Sequence, residues 1–167
     1  MSLDLQLTQG AVAIIDDVDG PAVAGLTWSA HRTTSLLWYA RAWTPPSGRI
    51  MMHTLLTGWP ITDHMNGNGL DNRRTNLRRA SRSQNMANRR KLSGSSSAYK
   101  GVSLQSDGKW KAQIGHARRR IYLGLFCTAD GAARAYDEAA RQLFGEFAAL
   151  NFPREGERSC FAAEGAL

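Results

Sequence analysis

The sequence predicts an α+β protein built in pieces: a small β-rich segment over 1–50, a strand–loop–strand–helix unit over 51–92, a Gly/Ser-rich linker at 93–98, a three-stranded antiparallel sheet packed on one helix over 99–153, and a tail at 154–167. Three observations carry this reading. Up to residue 50, short apolar runs are broken by Gly, Pro and Asp, as in DDVDGPAVAG and TPPSG, which suits strands joined by turns. YKGVSLQ, KWKAQIG and RRIYLGLF alternate polar with apolar residues and are separated by turn signals. After Thr128, an N-cap residue, Ala132, Ala133, Tyr136, Ala139, Ala140 and Leu143 recur at helical spacing up to Gly145.

Composition narrows the function. Lys and Arg number 21 against 14 Asp and Glu, a formal charge of +7, which favours an anionic partner. No apolar run approaches the roughly 20 residues of a spanning helix, and MSLDLQLTQG lacks a signal-peptide pattern, so a cytoplasmic protein without a membrane partner is expected. Cys127 and Cys160, far apart in the chain, offer neither a disulfide framework nor a four-cysteine zinc site.

Taken in order, Trp28, Trp38, Tyr39 and Trp43 are expected to form a small aromatic core, with base stacking as the alternative. Met51 to Leu56 forms a strand or short helix. Thr62, Asp63 and His64 end a strand, GNGLDNRR makes a wide turn, and Asn76, Leu77 and Arg78 begin the returning strand. Ser81 caps a helix through SRSQNMANRR, with Arg89, Arg90 and Lys91 at its C-terminal end, where the helix dipole favours cations. That helix is expected to carry Asn85 across the arm bearing Asp63 and His64. In the second strand of the later sheet, Trp110, Ala112 and Ile114 share one face, and Lys109, Lys111 and Gln113 the other. The tail shows no functional pattern.

The stretch 61–85 concentrates chemistry. Asp63 is a hard oxygen donor suited to Mg²⁺ or Mn²⁺, and Asn85 would add a neutral carbonyl oxygen. His64, neutral at physiological pH, would be the general base, and Asn76 would fix its tautomer or the loop. From residue 72 through 106 there is no acidic residue, while Arg73, Arg74, Arg78, Arg79, Arg82, Arg89, Arg90, Lys91 and Lys100 all occur. Such a run repels itself unless phosphates neutralise it.

DHMNGNGLDNRRTNLRRASRSQN resembles the core of the HNH endonucleases of phage and mobile elements, in the variant whose last catalytic position is Asn. The resemblance covers about residues 51–90. It implies a ββα-metal finger in which one divalent metal sits on Asp63 and Asn85, His64 activates water and Asn76 orients His64, with no organic cofactor. This chain has Thr54 where relatives usually carry Arg, and Met65 where they usually carry Ile; His53 is read as structural or as a phosphate contact. The stretches YKGV, Lys109-Trp110, LGLF and AARAYDEAARQLFGEFAALNFP resemble the Apetala-type, ethylene-response-factor-like DNA-binding domain. That resemblance implies a sheet that enters the major groove and a DNA-facing set of Lys100, Ser103, Gln105, Lys109, Trp110, Lys111, Gln113, Arg118 and Arg120, although Trp110 stands on the wrong strand phase.

Together these imply a metal-dependent endonuclease or nickase acting on double-stranded DNA, with a monomer favoured and phage packaging partners conceivable. The rivals are a non-cleaving DNA-binding regulator or packaging accessory that retains the finger as structure, and an RNA-binding protein.

Overall fold

The computed structural model describes residues 1–33, 37–46, 48–91 and 96–161. The chain divides into two compact units, Met1–Ala80 and Ser81–Leu167.

In the first unit, β1 (Ser2–Gln6) and β2 (Val12–Asp16) form an antiparallel hairpin with Leu5 opposite Ala13. Alternation along β2 sinks Ala13 and Ile15 completely. A 3-10 turn, Asp17–Asp19, leads into the short helix α1 (Gly20–Val23) with a proline in its first turn. β3 (Trp28–Arg32), β4 (Trp38–Thr44) and β5 (Gly48–Met51) then form an antiparallel sheet in that order. Trp28, Ala40 and Ala42 meet Leu7, Ile15, Val23, Met52 and Leu56 in the core, and the Trp28 indole N–H donates to Val23 O at 3.0 Å. So only one of the three tryptophans expected to build an aromatic core does so; Trp38 and Trp43 are 44% and 63% exposed.

The segment left open between strand and helix is a helix, α2 (Met52–Thr57), closed by Gly58 at φ 66°. β6 (Thr62–His64) pairs with β7 (Leu77–Arg79), and the 3-10 turn Arg74–Asn76 feeds the return. Their connecting loop is held by the N-terminal hairpin. Ile14 N–H donates to Leu70 O at 2.8 Å, and Asn72 N–H donates to Ile14 O at 2.7 Å.

The second unit begins with α3 (Arg82–Ala87), whose Ser81 and Gln84 make a reciprocal capping box. The division after Ala80 assigns β6 and β7 to the first unit and α3 to the second. Residues 93–95 of the expected linker lie outside the described residues. β8 (Val102–Leu104), β9 (Trp110–His116) and β10 (Arg119–Phe126) form the antiparallel sheet in the order β10-β9-β8. α4 (Ala129–Phe144), capped by Thr128, lies on it. Val102, Ala112, Ala132 and Ala133 form the joint, and small alanines on both partners permit close approach. A side chain at Gly101 would collide with the Tyr136 ring, so glycine is required there, and its φ is 76°.

Asp137, 1% exposed, accepts from the backbone N–H groups of Asn151 (2.8 Å) and Phe152 (2.7 Å), tying the chain after α4 to the helix. The short strands β11 (Ala149–Leu150) and β12 (Arg158–Ser159) pair in parallel. The start of the tail is therefore structural: it supplies β12 and the fully buried Cys160, whose thiol burial pushes up to about 11.

The β9–β10 hairpin turns through Ala117 and Arg118, both left-handed at φ 48° and 63°. Two-residue hairpin turns of this kind favour Asn and Gly, because a Cβ in that region costs about 1–2 kcal/mol. Ala117→Asn should therefore stabilise the protein by about 1 kcal/mol in urea unfolding, and Ala117→Val should destabilise it.

Candidate nucleic-acid interface

In the first unit the chemistry-rich loop folds inward. Asp63 is 2% exposed, and its Oδ2 accepts from Arg78 Nε at 2.8 Å. Asp71, also 2% exposed, takes both arms of Arg73, at 2.8 Å from Nε and 2.7 Å from Nη2. These bonds hold the Asp71 carboxyl below the usual carboxylate range. Arg74 reaches back to Asp19 at 2.6 Å, and its backbone N–H donates to Asp16 at 2.8 Å. The acid-free run is thus compensated at its start by carboxylates that precede it. Arg73, Arg74 and Arg78, expected to contact DNA, serve as staples for the loop.

His64 is 5% exposed and sits with Nε2 at 3.3 Å from Asn72 Oδ1. Its ring makes edge contacts with Tyr39 and His53 at centroid distances of 5.6 and 5.1 Å. Burial lowers its pKa, opposed by the Asn72 hydrogen bond and by the charges of Asp63 and Asp71. His53 is pushed down to about 4 by burial and then by His64, and its Nδ1 is buried without a hydrogen bond. Asn76 does not orient His64. Its Nδ2 donates to Asp71 O at 2.7 Å and its Oδ1 accepts from Asn66 N–H at 2.9 Å, so it holds the loop instead. Asn72, which the sequence reading did not single out, hydrogen-bonds His64.

Asp63, one half of the expected metal pair, is already engaged by Arg78 in this arrangement. A divalent cation at Asp63 would meet the guanidinium already bound there, a like charge. Among the described residues no three His, Cys, Asp or Glu side chains cluster to hold a metal. Asn85 lies within α3.

In the second unit the sheet has one covered and one open face. Ala112 and Ile114 point to α4 at 0% and 2% exposure, and Trp110 packs partly with them, as its strand phase requires. Trp110 therefore shares the phase of the covered face. The opposite phase carries Lys111 and Gln113, with Ser103 and Leu125 beside Lys111 and Tyr122 beside Gln113. Tyr122 and Leu125 are 60% and 45% exposed, and neither was foreseen as part of the interface. Arg120 continues this face opposite Gly115, and Lys109 and Arg118 are exposed at the turns. Gln105 folds back on Ser103, its Nε2 at 3.2 Å from Oγ.

Lys100 is not available to DNA. Its ammonium donates to Ala87 O (2.6 Å), Arg89 O (2.8 Å) and Ala149 O (3.3 Å), and burial lowers its pKa to about 8. It fastens the chain after α3 to the module. Arg79, Arg82 and Arg89 are exposed, whereas Arg90 and Lys91 are half-buried.

No family model matches the chain. Among curated proteins it is similar to Dehydration-responsive element-binding protein 2E of Oryza sativa subsp. japonica, 49% identical over 67 residues, which is 39% of this chain and 21% of that protein. It is similar to Dehydration-responsive element-binding protein 2A of Arabidopsis thaliana, 49% identical over 59 residues, 34% of this chain and 18% of that protein. It is also similar to Ethylene-responsive transcription factor ERF010 of Arabidopsis thaliana, 47% identical over 57 residues, 33% of this chain and 31% of that protein. The chain thus spans less than a third of the length of these relatives. About a third of the chain is similar to these proteins, and its second unit holds a three-stranded sheet packed on a helix. The expectation of a metal-dependent endonuclease or nickase is overturned by these relatives, which are named as element-binding proteins and a transcription factor. The associated expectations of hydrolase activity and phage partners fall with it.

Two outcomes follow from the geometry. Folding holds His53 neutral, so the unfolded chain binds more protons between pH 6.5 and about 4, and stability falls as pH drops through that window. His53→Phe, which keeps a ring beside Tyr39 and His64, should make that acid limb shallower, with His64 supplying the remainder, in denaturation measured at stepped pH. Lys100→Ala should lower stability by roughly 2 kcal/mol through unsatisfied carbonyls, while leaving the salt dependence of DNA binding unchanged.

Proposed function

We propose that the protein is a DNA-binding regulator whose second unit reads double-stranded DNA through the open face of the sheet β8–β9–β10. The observation that carries this is the face itself. Strand alternation buries one side against α4 and leaves Lys111, Gln113, Arg120 and Tyr122 together on the other, with no carboxylate among them. A two- or three-stranded ribbon fits the major groove of B-form DNA. Gln113 has the amide for a bidentate contact with adenine, and Arg120 the fork for guanine. Tyr122 and Leu125 supply apolar surface suited to a thymine methyl. Lys109 and Arg118, at the ends of β9, are placed for phosphates, with Arg79, Arg82 and Arg89 as further cations. The relatives named for binding a response element support this reading.

The test is selection of duplexes by the full chain from a random pool, followed by fluorescence anisotropy at matched salt. Gln113→Ala and Arg120→Gln should each cost about 1–3 kcal/mol on the selected duplex and relax preference at one position. Lys109→Gln should weaken all duplexes alike and reduce the salt slope by about one. Unchanged affinity in both Gln113→Ala and Arg120→Gln would remove the sheet face as the reader, and preferential binding of structured RNA would make the partner RNA.

A further inference from the structure

A second surface, in the first unit, has the composition of a stacking site. Residues 20–62 contain no Asp or Glu, yet include Arg32, Arg41 and Arg49. The sheet β3–β4–β5 lies within that stretch. Its inward phase puts Trp28, Ala40 and Ala42 in the core, so Arg41 and Trp43 must leave from the other face. Register sets Arg49 of β5 directly across from Trp43, and Met51 across from Arg41. Tyr39 shares the phase of Trp43, but its ring is taken up by His53 and His64 at 5.6 Å, which ends the open face on that side. Trp43 remains 63% exposed, flanked by Arg41 on its own strand and Arg49 on the next.

We propose that this outer face binds unpaired DNA, with a base stacked on the Trp43 indole and the adjoining phosphates on Arg41 and Arg49. A large aromatic surface left in water between two cations, in a stretch of chain without carboxylates, is complementary to an anionic chain carrying flat apolar bases. Paired bases are already stacked above and below and offer no free ring face to a side chain; unpaired bases do. The proposal takes from the preceding reading only that DNA is the polyanion, and it uses a different unit and a different sheet.

The experiment uses the full chain and two labelled probes at one salt concentration: oligothymidine and the duplex selected for the second unit. Trp43→Ala should lower oligothymidine affinity about tenfold and leave duplex affinity within about twofold, whereas Trp43→Phe should recover most of the loss. Arg41→Gln with Arg49→Gln should reduce the salt slope on oligothymidine by about 1.4. Because Trp43 is largely exposed, each variant should keep the wild-type circular dichroism and unfolding midpoint. Photocrosslinking with iodouracil-substituted oligonucleotide should mark Trp43. Wild-type oligothymidine affinity in Trp43→Ala, crosslinks confined to the second unit, or tighter binding of oligouridine would overturn the proposal. Loss of duplex recognition in Gln113→Ala would bear on the second unit alone.

Discussion

Each unit of this protein leaves part of one side of its three-stranded sheet uncovered. With about 80 residues apiece, one face of β3–β4–β5 meets the hairpin and α2, and one face of β8–β9–β10 meets α4. Period-two alternation then decides what the bare face displays. It gives Arg41 and Trp43 in one case and Lys111, Gln113 and Tyr122 in the other. Both open faces set cations beside aromatics, so the same economy of layers yields two surfaces of like composition.

Positive charge is not distributed as its density along the chain suggests. Arg73, Arg74 and Arg78 face Asp71, Asp19 and Asp63, and these pairs fasten a long loop whose backbone is also bonded to β2. Removing the arginine from any of these pairs leaves a buried carboxylate uncompensated, which is more destabilising than the pair is stabilising. The loop is therefore architecture. Amides reinforce it, since Asn66, Asn72 and Asn76 supply bonds that a wide turn without regular structure would otherwise lack.

Much of the second unit was legible in the sequence, because its signals are local. Ser81 and Thr128 cap the helices that follow them, the three alternating stretches are β8, β9 and β10, and the phase of Trp110 already placed it on the covered side. What could not be read depends on contacts between remote residues. Arg74 and Asp19 are 55 positions apart, and nothing nearby in the chain announces their pairing. Lys100 looked like one more cation in a basic run until three carbonyls closed around it. The Asp63, His64, Asn76 and Asn85 pattern was equally clear as a string of residues, but Arg78 occupies one of its members and Asn76 is turned toward the loop. Tyr122 and Leu125 escaped notice because an exposed apolar residue on a strand looks the same as a buried one until the layer above it is known.

The bonds of Lys100 bear on where a transferable module begins. Its ammonium holds the carbonyls of Ala87 and Arg89 together with that of Ala149, and Arg158 Nη1 donates to Asn88 Oδ1 at 2.7 Å. A graft cut at Tyr99 would carry a buried cation with two of its three acceptors missing, and an arginine aimed at an absent amide. The piece that could be moved to another protein intact starts at Ser81, with the capped helix included, so the residues before the sheet are part of its foundation.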